Sequence, residues 1–468
     1  MADRTMAHWR VLAAVGMINW GVYFIYDMPA PLSTPLSKHL SYSDHQTAYL
    51  VSLLYSVYSV PNTVLPFLAG TAVQRFGERA LLIGIVSSVT LGQLLFALAV
   101  QTKIELGMII GRAFIGLGGE VVAVLGCEII TRWFQHNRLS LALAINLCLA
   151  RLGSVSNSII IPTLIEPYGI VTVTWFATLL SLGLPIIGLI SLLATPDPAT
   201  EADETLLIPV TPDTTLPTKP ISATSSLRYF PPVFWHLAII CLLSYSCINT
   251  FTNSAQRLLA TRFYDDDQAA AGEAVSILFI LSGFLVPPFG FLLDALDSSG
   301  YPRALITSNA LLCFAHGIFL TCEVSSPIVP LCLLGAADAL LGVAFWGSVT
   351  RCLLSVASEI HGETQTHLTT SSSYKDEPVQ LLSEDPVILS ISIEEELTAT
   401  THPMHEEALR TLGIGIMASL MNICTTIVPV FLAFVENAEG FMGLEVVFLI
   451  LALLGCLACV RMAWTWEL

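Results

Sequence analysis

Three residues carry full charges inside stretches that are otherwise uncharged. They are Arg112 and Glu120 in GRAFIGLGGEVVAVLG, and Arg151 in LALAINLCLARLGSVSNSIIIP. A guanidinium can grip a carboxylate through two parallel hydrogen bonds, and a carboxylate can hold an ammonium. In an apolar medium each such charge is expensive unless it faces a wet interior or a partner, so it marks a pathway by default. Two readings of Glu120 and Arg151 stand open. They neutralise each other as a structural ion pair, or they hold the two ends of a zwitterionic ligand. Arg112 reads either as an anchor for its own helix near the outer leaflet or as part of an outer gate or proton route.

The surroundings of these charges define the medium. The chain has 468 residues, 54% of them hydrophobic and 12% charged, with a mean hydropathy of +0.74. Soluble domains carry about 25% charged residues, so this is a membrane protein. The net charge of −17 collects in two hydrophilic loops and a few turns, and nucleic acid is not implied. Most of the 11 cysteines, such as Cys127, Cys148, Cys241 and Cys313, lie in apolar runs and read as small hydrophobes. Cys456 and Cys459 form a CxxC with apolar neighbours, which favours helix packing over a redox or metal site. No nucleotide loop, metal cluster or nucleophile and base constellation is present, and the histidines are dispersed. Neither an enzyme nor a cofactor is expected.

A spanning helix needs about 20 mostly apolar residues. Twelve such runs occur, at 9–31, 46–70, 80–101, 106–131, 139–163, 171–194, 232–256, 271–295, 303–323, 328–354, 408–434 and 440–463. The expected fold is therefore an all-α membrane protein with twelve transmembrane helices in two pseudo-symmetric six-helix bundles. Residues 1–194 form the first bundle, 195–231 a polar linker, and 232–468 the second bundle, with an insert at 355–407 whose composition reads as disordered. With a cytoplasmic N-terminus, only Lys38, Lys103, Arg257 and Arg262 fall outside, Arg112 and Arg151 lie within spans, and every other Lys or Arg falls inside. That bias puts both termini and both long loops in the cytoplasm.

This layout sets the depth of the charges. Glu120 lies near the middle of the fourth span, and Arg151 lies roughly 16 Å along the fifth at 1.5 Å per residue. Both sit near the midplane, in opposed helices. Asp27, between Tyr26 and Pro29, predicts a break in the first helix on the outer side. Tyr23, Tyr26, Tyr55 and Tyr58 recur at three-residue spacing; Tyr55 and Tyr58 read either as packing or as phenols lining a cavity. Asn62 and Asn157 are further candidates. A weak repeat, PFLAGTAVQRFGER against PPFGFLLDALDSSGYPR, places Gly70 and Gly290 where helices approach closely.

The whole resembles the major facilitator superfamily. Gly70, Arg75, Gly77 and Arg79 fit its motif between helices two and three, although Gln74 replaces the acid there and Asp294 keeps it in the second half. Arg112, Gly116 and Gly118 fit its helix-four pattern R-x-x-x-G-x-G. More narrowly, YDMPA, LLYSVYSVPN, GRAFIGLGGE, RWFQ and ARLGSVSN, with AFW and SLMNI in the second half, are similar to the lysosomal dipeptide transporter branch. The resemblance implies that Glu120 takes a peptide ammonium and Arg151 its carboxylate, and it carries Trp346 and Asn422 into the site. It also implies a heavily glycosylated single-span accessory protein.

The peptide-symporter run ExxER is missing from the first helix and the antiporter Gly-Pro pattern from the fifth, which favours uniport. Glu377, Leu381 and Leu382 fit an acidic dileucine signal, and Asp203, Leu206 and Leu207 a DxxLL signal, both addresses that clathrin adaptors could read. The chain has no N-x-S/T sequon. These features lead to the expectation of a lysosomal exporter of dipeptides. The rivals are a proton-coupled organic anion or sugar carrier, and a receptor or scaffold signalling through 355–407.

Overall fold

The computed structural model describes residues 2–65, 76–134, 139–195, 230–296, 299–321, 326–372 and 386–466. The first bundle contains α1 (Ala2–Tyr26), α2 (Pro29–Leu40), α3 (Asp44–Asn62), α4 (Glu78–Thr102), α5 (Glu105–Gly116), α6 (Gly119–Phe134) and α7 (Leu139–Leu193). In the second are α8 (Pro232–Ile240), a π turn (Cys241–Tyr245), α9 (Ser246–Phe263), α10 (Gln268–Ala295), α11 (Gly300–Leu320), α12 (Ile328–Ser372) and α13 (Pro386–Ala463).

Among the described residues nine helical stretches are long and apolar enough to cross a membrane. Two of them, Leu141–Leu193 and Leu412–Ala463, are about twice the length of a single crossing. Each folds back at a glycine whose positive φ no helix accommodates: Gly169 at 76° and Gly440 at 67°. Both limbs of α7 accordingly meet α1, Gly153 against Trp20 and Gly188 against Ala14. Counting each hairpin as two crossings and adding α3 gives the twelve spans. α1 with α2, and α5 with α6, each make one interrupted crossing.

Buried apolar residues fall into cores that respect the six-plus-six division. One core consists of second-bundle residues such as Phe251, Phe319, Phe345 and Phe448, with Val155 and, half-buried, Ile159 joining it from the first bundle. Two smaller cores, around Leu125 and around Phe96, lie wholly within the first bundle. Without a hydrophobic drive between helices in lipid, close approach depends on small residues. A Cβ on Gly111 would come within 2.7 Å of the Gly92 carbonyl oxygen, so α4 and α5 touch backbone to backbone. Cys459, half of the CxxC, accepts a hydrogen bond from Asn309 Nδ2 at 3.4 Å and so ties helix to helix.

The bundles meet along two main seams, α7 against α10 and α3 against α13, and α2 also touches α9. Helical backbone runs on through Ser372 and resumes at Pro386, so it enters the 355–407 insert that composition reads as disordered. The run IEEELTA there is rich in good helix formers next to a spanning segment, which accounts for the helix. Gly70, Arg75, Glu377, Leu381, Leu382 and the DxxLL sequence lie outside the described residues.

Candidate functional site

The first crossing breaks where Pro29 and Pro31 follow Asp27, since proline cannot donate a backbone hydrogen bond. α1 stops at Tyr26 and α2 starts at Pro29, which exposes carbonyls at a helix end. Arg112, only 1% exposed, takes them up. Its Nη1 donates to Ile25 O at 2.9 Å, its Nη2 to Tyr26 O at 3.0 Å, and its Nε to Leu54 O at 3.3 Å. The guanidinium also lies over the Tyr55 and Tyr58 rings, 5.5 and 5.0 Å from their centroids. A cation at a helix C-terminus is favourable in itself, and here it joins three helices. Arg112 is thus a clamp on the break, bonded to the backbone of two other helices. Tyr55 completes the clamp: its hydroxyl donates to Asp27 O at 3.3 Å and accepts from Ala30 N at 3.2 Å.

At the centre the ion pair is not the one expected. Arg151 Nη2 lies 2.8 Å from Asp338 Oδ2, with 27% of the Arg151 side chain and 7% of the Asp338 side chain exposed. Ser282 donates to the same Asp338 oxygen at 2.6 Å. Arg151 Nε is buried without a partner. Arg151 comes from α7 in the first bundle, while Asp338 on α12 and Ser282 on α10 belong to the second. A mutual ion pair of Glu120 and Arg151 is therefore overturned: the face of α7 that carries Arg151 packs on α10 and aims at the opposite bundle. Glu120 has no ionic partner among the described residues, and its backbone N–H reaches Asn62 Oδ1 at 3.4 Å.

The remaining expected residues are distributed as follows. Tyr23, on α1, feels both Glu120 and Arg151, and Asp27, buried, feels Arg151 and Arg112. Tyr58 is buried against Tyr26, and a Cβ on Gly119 would collide with its hydroxyl. Asn157 donates to Phe24 O at 2.8 Å while its Oδ1 has no partner. Asn62 and Asn422 each donate to the carbonyl four residues back in their own helix, at 3.1 and 2.9 Å. Trp346, half-buried, packs edge to face on Phe345 at 5.3 Å. Gly116 presses on the Tyr58 backbone and Gly118 on Val89 and Ile85. Gly77, at φ 77°, and the exposed Arg79 begin α4, and Asp294 lies near the end of α10.

Sequence reasoning missed Asp338, Glu445 and His316. All three carry ionisable groups in apolar spans, the same signal that singled out Glu120. His316 Nδ1 lies 2.8 Å from Glu445 Oε2, both fully buried, with Cys247 Sγ 3.4 Å from His316 Nε2. This cluster ties α11, α13 and α9 inside the second bundle, away from the seam.

The two faces of the molecule are tied differently. On the face away from the termini, Arg257 pairs with Glu436 and donates to Asp44 O at 3.2 Å. His45 Nδ1 contacts Asn437 Oδ1 at 2.6 Å, and Tyr49 packs on Phe434. Nearby Tyr42 donates to Glu105 at 2.9 Å, and this carboxylate raises the phenol above its ordinary pKa. Behind the tie, α2, α3, α9 and α13 wall a cleft of about 440 Å³, open mouth included. On the terminal face, Ser419 donates to Thr63 O at 2.5 Å. Among the described residues no group of His, Cys, Asp and Glu is placed to hold a metal ion.

Twelve crossings in two bundles, with a buried charge pair bridging them, define a secondary transporter. The sequence pattern of the Major Facilitator Superfamily matches residues 15–372, and the chain belongs to that family. It is a multi-pass membrane transporter and not an enzyme. The chain is 28% identical over 346 residues to the lysosomal dipeptide transporter MFSD1 of Bos taurus, covering 72% of this chain and 71% of that protein. MFSD1 of Homo sapiens is similar at 28% over 348 residues, covering 72% of each. The probable nitrate/nitrite transporter NarK2 of Mycobacterium tuberculosis is 24% identical over 322 residues, covering 68% of this chain and 72% of that protein. Among solved structures, the nucleoside transporter NupG matches the fold with a TM-score of 0.64 at 11% identity, covering 98% of this chain and 99% of that one.

Proposed function

We propose that this protein exports dipeptides and related zwitterions across the lysosomal membrane by alternating-access uniport. One observation carries the reading: Arg151 keeps an unpartnered Nε at the seam, and Glu120 keeps a carboxylate without an ionic partner on a neighbouring helix. The first suits a peptide carboxylate and the second a peptide ammonium. Tyr23, within electrostatic reach of both, suits the peptide unit between them. The likeness to the two MFSD1 proteins supports the substrate class and the compartment. In this reading both termini are cytoplasmic, the linker at 195–231 joins two rocking bundles, and clathrin adaptors read Glu377, Leu381 and Leu382. A glycosylated single-span partner shields the lumenal face.

Counterflow of labelled alanyl-alanine in proteoliposomes tests the site. Glu120→Gln and Arg151→Ala should each cut it at least tenfold; unchanged transport in both would sink the assignment. A second reading, an inorganic or organic anion carrier, is favoured by Arg151 and by the likeness to NarK2. Thermal stabilisation of the purified protein by alanyl-alanine but not by nitrate separates the two.

A further inference from the structure

A carrier that works alone must reorient both loaded and empty. When loaded, the ligand carboxylate neutralises the site arginine. When empty, the same arginine would be a lone charge at the bundle interface, in a medium where unpaired charge is costly. Asp338 answers that problem. It lies on the opposite bundle from Arg151, meets it at 2.8 Å, and is itself almost fully buried. Ser282 Oγ holds the same oxygen at 2.6 Å, so the carboxylate keeps a donor when the guanidinium is taken away. The contact is one-sided: Arg151 meets Asp338 through Nη2 while 27% of its side chain stays exposed, which leaves an approach for an incoming carboxylate before the old pair parts.

We infer that Asp338 is the counter-ion of the empty carrier. A substrate carboxylate displaces it from Arg151 on binding, and it returns on release. The net charge of the site is then the same before and after binding a zwitterion, and no proton or cation is needed to bring the empty carrier back. Net transport, as distinct from exchange, depends on this residue. The inference rests on Arg151 receiving the substrate carboxylate.

The test compares two protocols on the same proteoliposomes: net efflux of labelled alanyl-alanine into peptide-free medium, and counterflow with unlabelled alanyl-alanine present. In Asp338→Asn the empty carrier loses the carboxylate that contacts Arg151, whereas the loaded carrier is neutralised by its ligand. The ratio of net efflux to counterflow should fall tenfold or more, and Asp338→Glu should restore it. Ser282→Ala, a milder change, should lower the ratio severalfold in the same direction and carries the test if Asp338→Asn does not fold. An unchanged ratio in the folded variants overturns the inference and leaves the dipeptide reading standing. Absence of alanyl-alanine counterflow in the unsubstituted protein overturns the dipeptide reading itself.

Discussion

Arg151 and Asp338 meet at 2.8 Å across the seam between the two bundles, whereas Glu120 has no ionic partner among the described residues. The two sides of the site should therefore respond differently to substitution. Glu120→Gln removes a charge that nothing neutralises, and the melting temperature in detergent should hold or rise slightly while transport falls. Arg151→Ala leaves Asp338 buried and unpaired, which should cost about 1–3 kcal/mol once the partial exposure of the arginine is allowed for. Equal melting temperatures for the two variants would show that the pair contributes nothing to stability.

Arg112 is expected to act through the fold. Arg112→Ala removes its three hydrogen bonds, to the carbonyls of Ile25, Tyr26 and Leu54, and should destabilise by about 3–5 kcal/mol. Arg112→Lys keeps the charge, but a single ammonium cannot span three acceptors on two helices, so it should recover less than half of the loss. Tryptophan-fluorescence melts would settle the order. Full recovery by lysine would mean that charge matters more than the fork.

Glycines at helix contacts should separate cleanly from those in open space. Gly111→Ala puts a methyl 2.7 Å from the Gly92 carbonyl oxygen and 2.8 Å from Phe96 N, so α4 and α5 must part. Gly84→Ala and Gly183→Ala meet nothing within 4 Å. The first should lower both folded yield and transport, while the other two should leave both within about 0.5 kcal/mol and gain a little helix propensity.

Opposite ties should bias the carrier in opposite directions. Arg257→Ala breaks the pair with Glu436 on the face away from the termini, and Ser419→Ala removes the hydrogen bond to Thr63 on the terminal face. A cysteine at Ser33, in the cleft wall, should react severalfold faster with an impermeant maleimide in the Arg257→Ala background. In the Ser419→Ala background it should react more slowly, by about fivefold for one hydrogen bond of about 1 kcal/mol. Equal rates would mean that these ties do not set the balance between faces.

His316 and Glu445 form a dry pair that should reveal itself in a double-mutant cycle. His316→Gln or Glu445→Gln alone leaves one buried partner unmatched and should cost about 3–5 kcal/mol. Combining them substitutes a neutral amide pair and should cost less than the sum, with a coupling above 1 kcal/mol. Additive losses would argue against any direct interaction.

The architecture was legible because spans are long and apolar, and because the interrupted first crossing follows from Asp27 and Pro29. The presence of Glu120 and Arg151 as charges inside apolar runs was legible too. Their partners were not. Whether the Arg151 face of α7 looks inward or across the seam depends on how helices rotate against their neighbours, and no local pattern records that. Asp338 sat in plain view in LGAADALLG, and a census of every ionisable residue in every span would have found it. Tyr55 carried the right chemistry, hydrogen bonding to peptide groups, but its acceptor is the chain's own backbone.

The π turn at Cys241–Tyr245 gives the seventh crossing a property that the other interrupted crossings lack. An extra residue wound into one turn is slack: the Leu242 carbonyl there accepts from the Ser246 hydroxyl and, at 3.5 Å, from the Cys424 thiol. A turn of this kind is a place where a helix can change its twist and stay continuous. The segment Ser246–Phe263 carries Arg257 at its far end, so such a twist would swing the cation of one tie while the helix remains continuous.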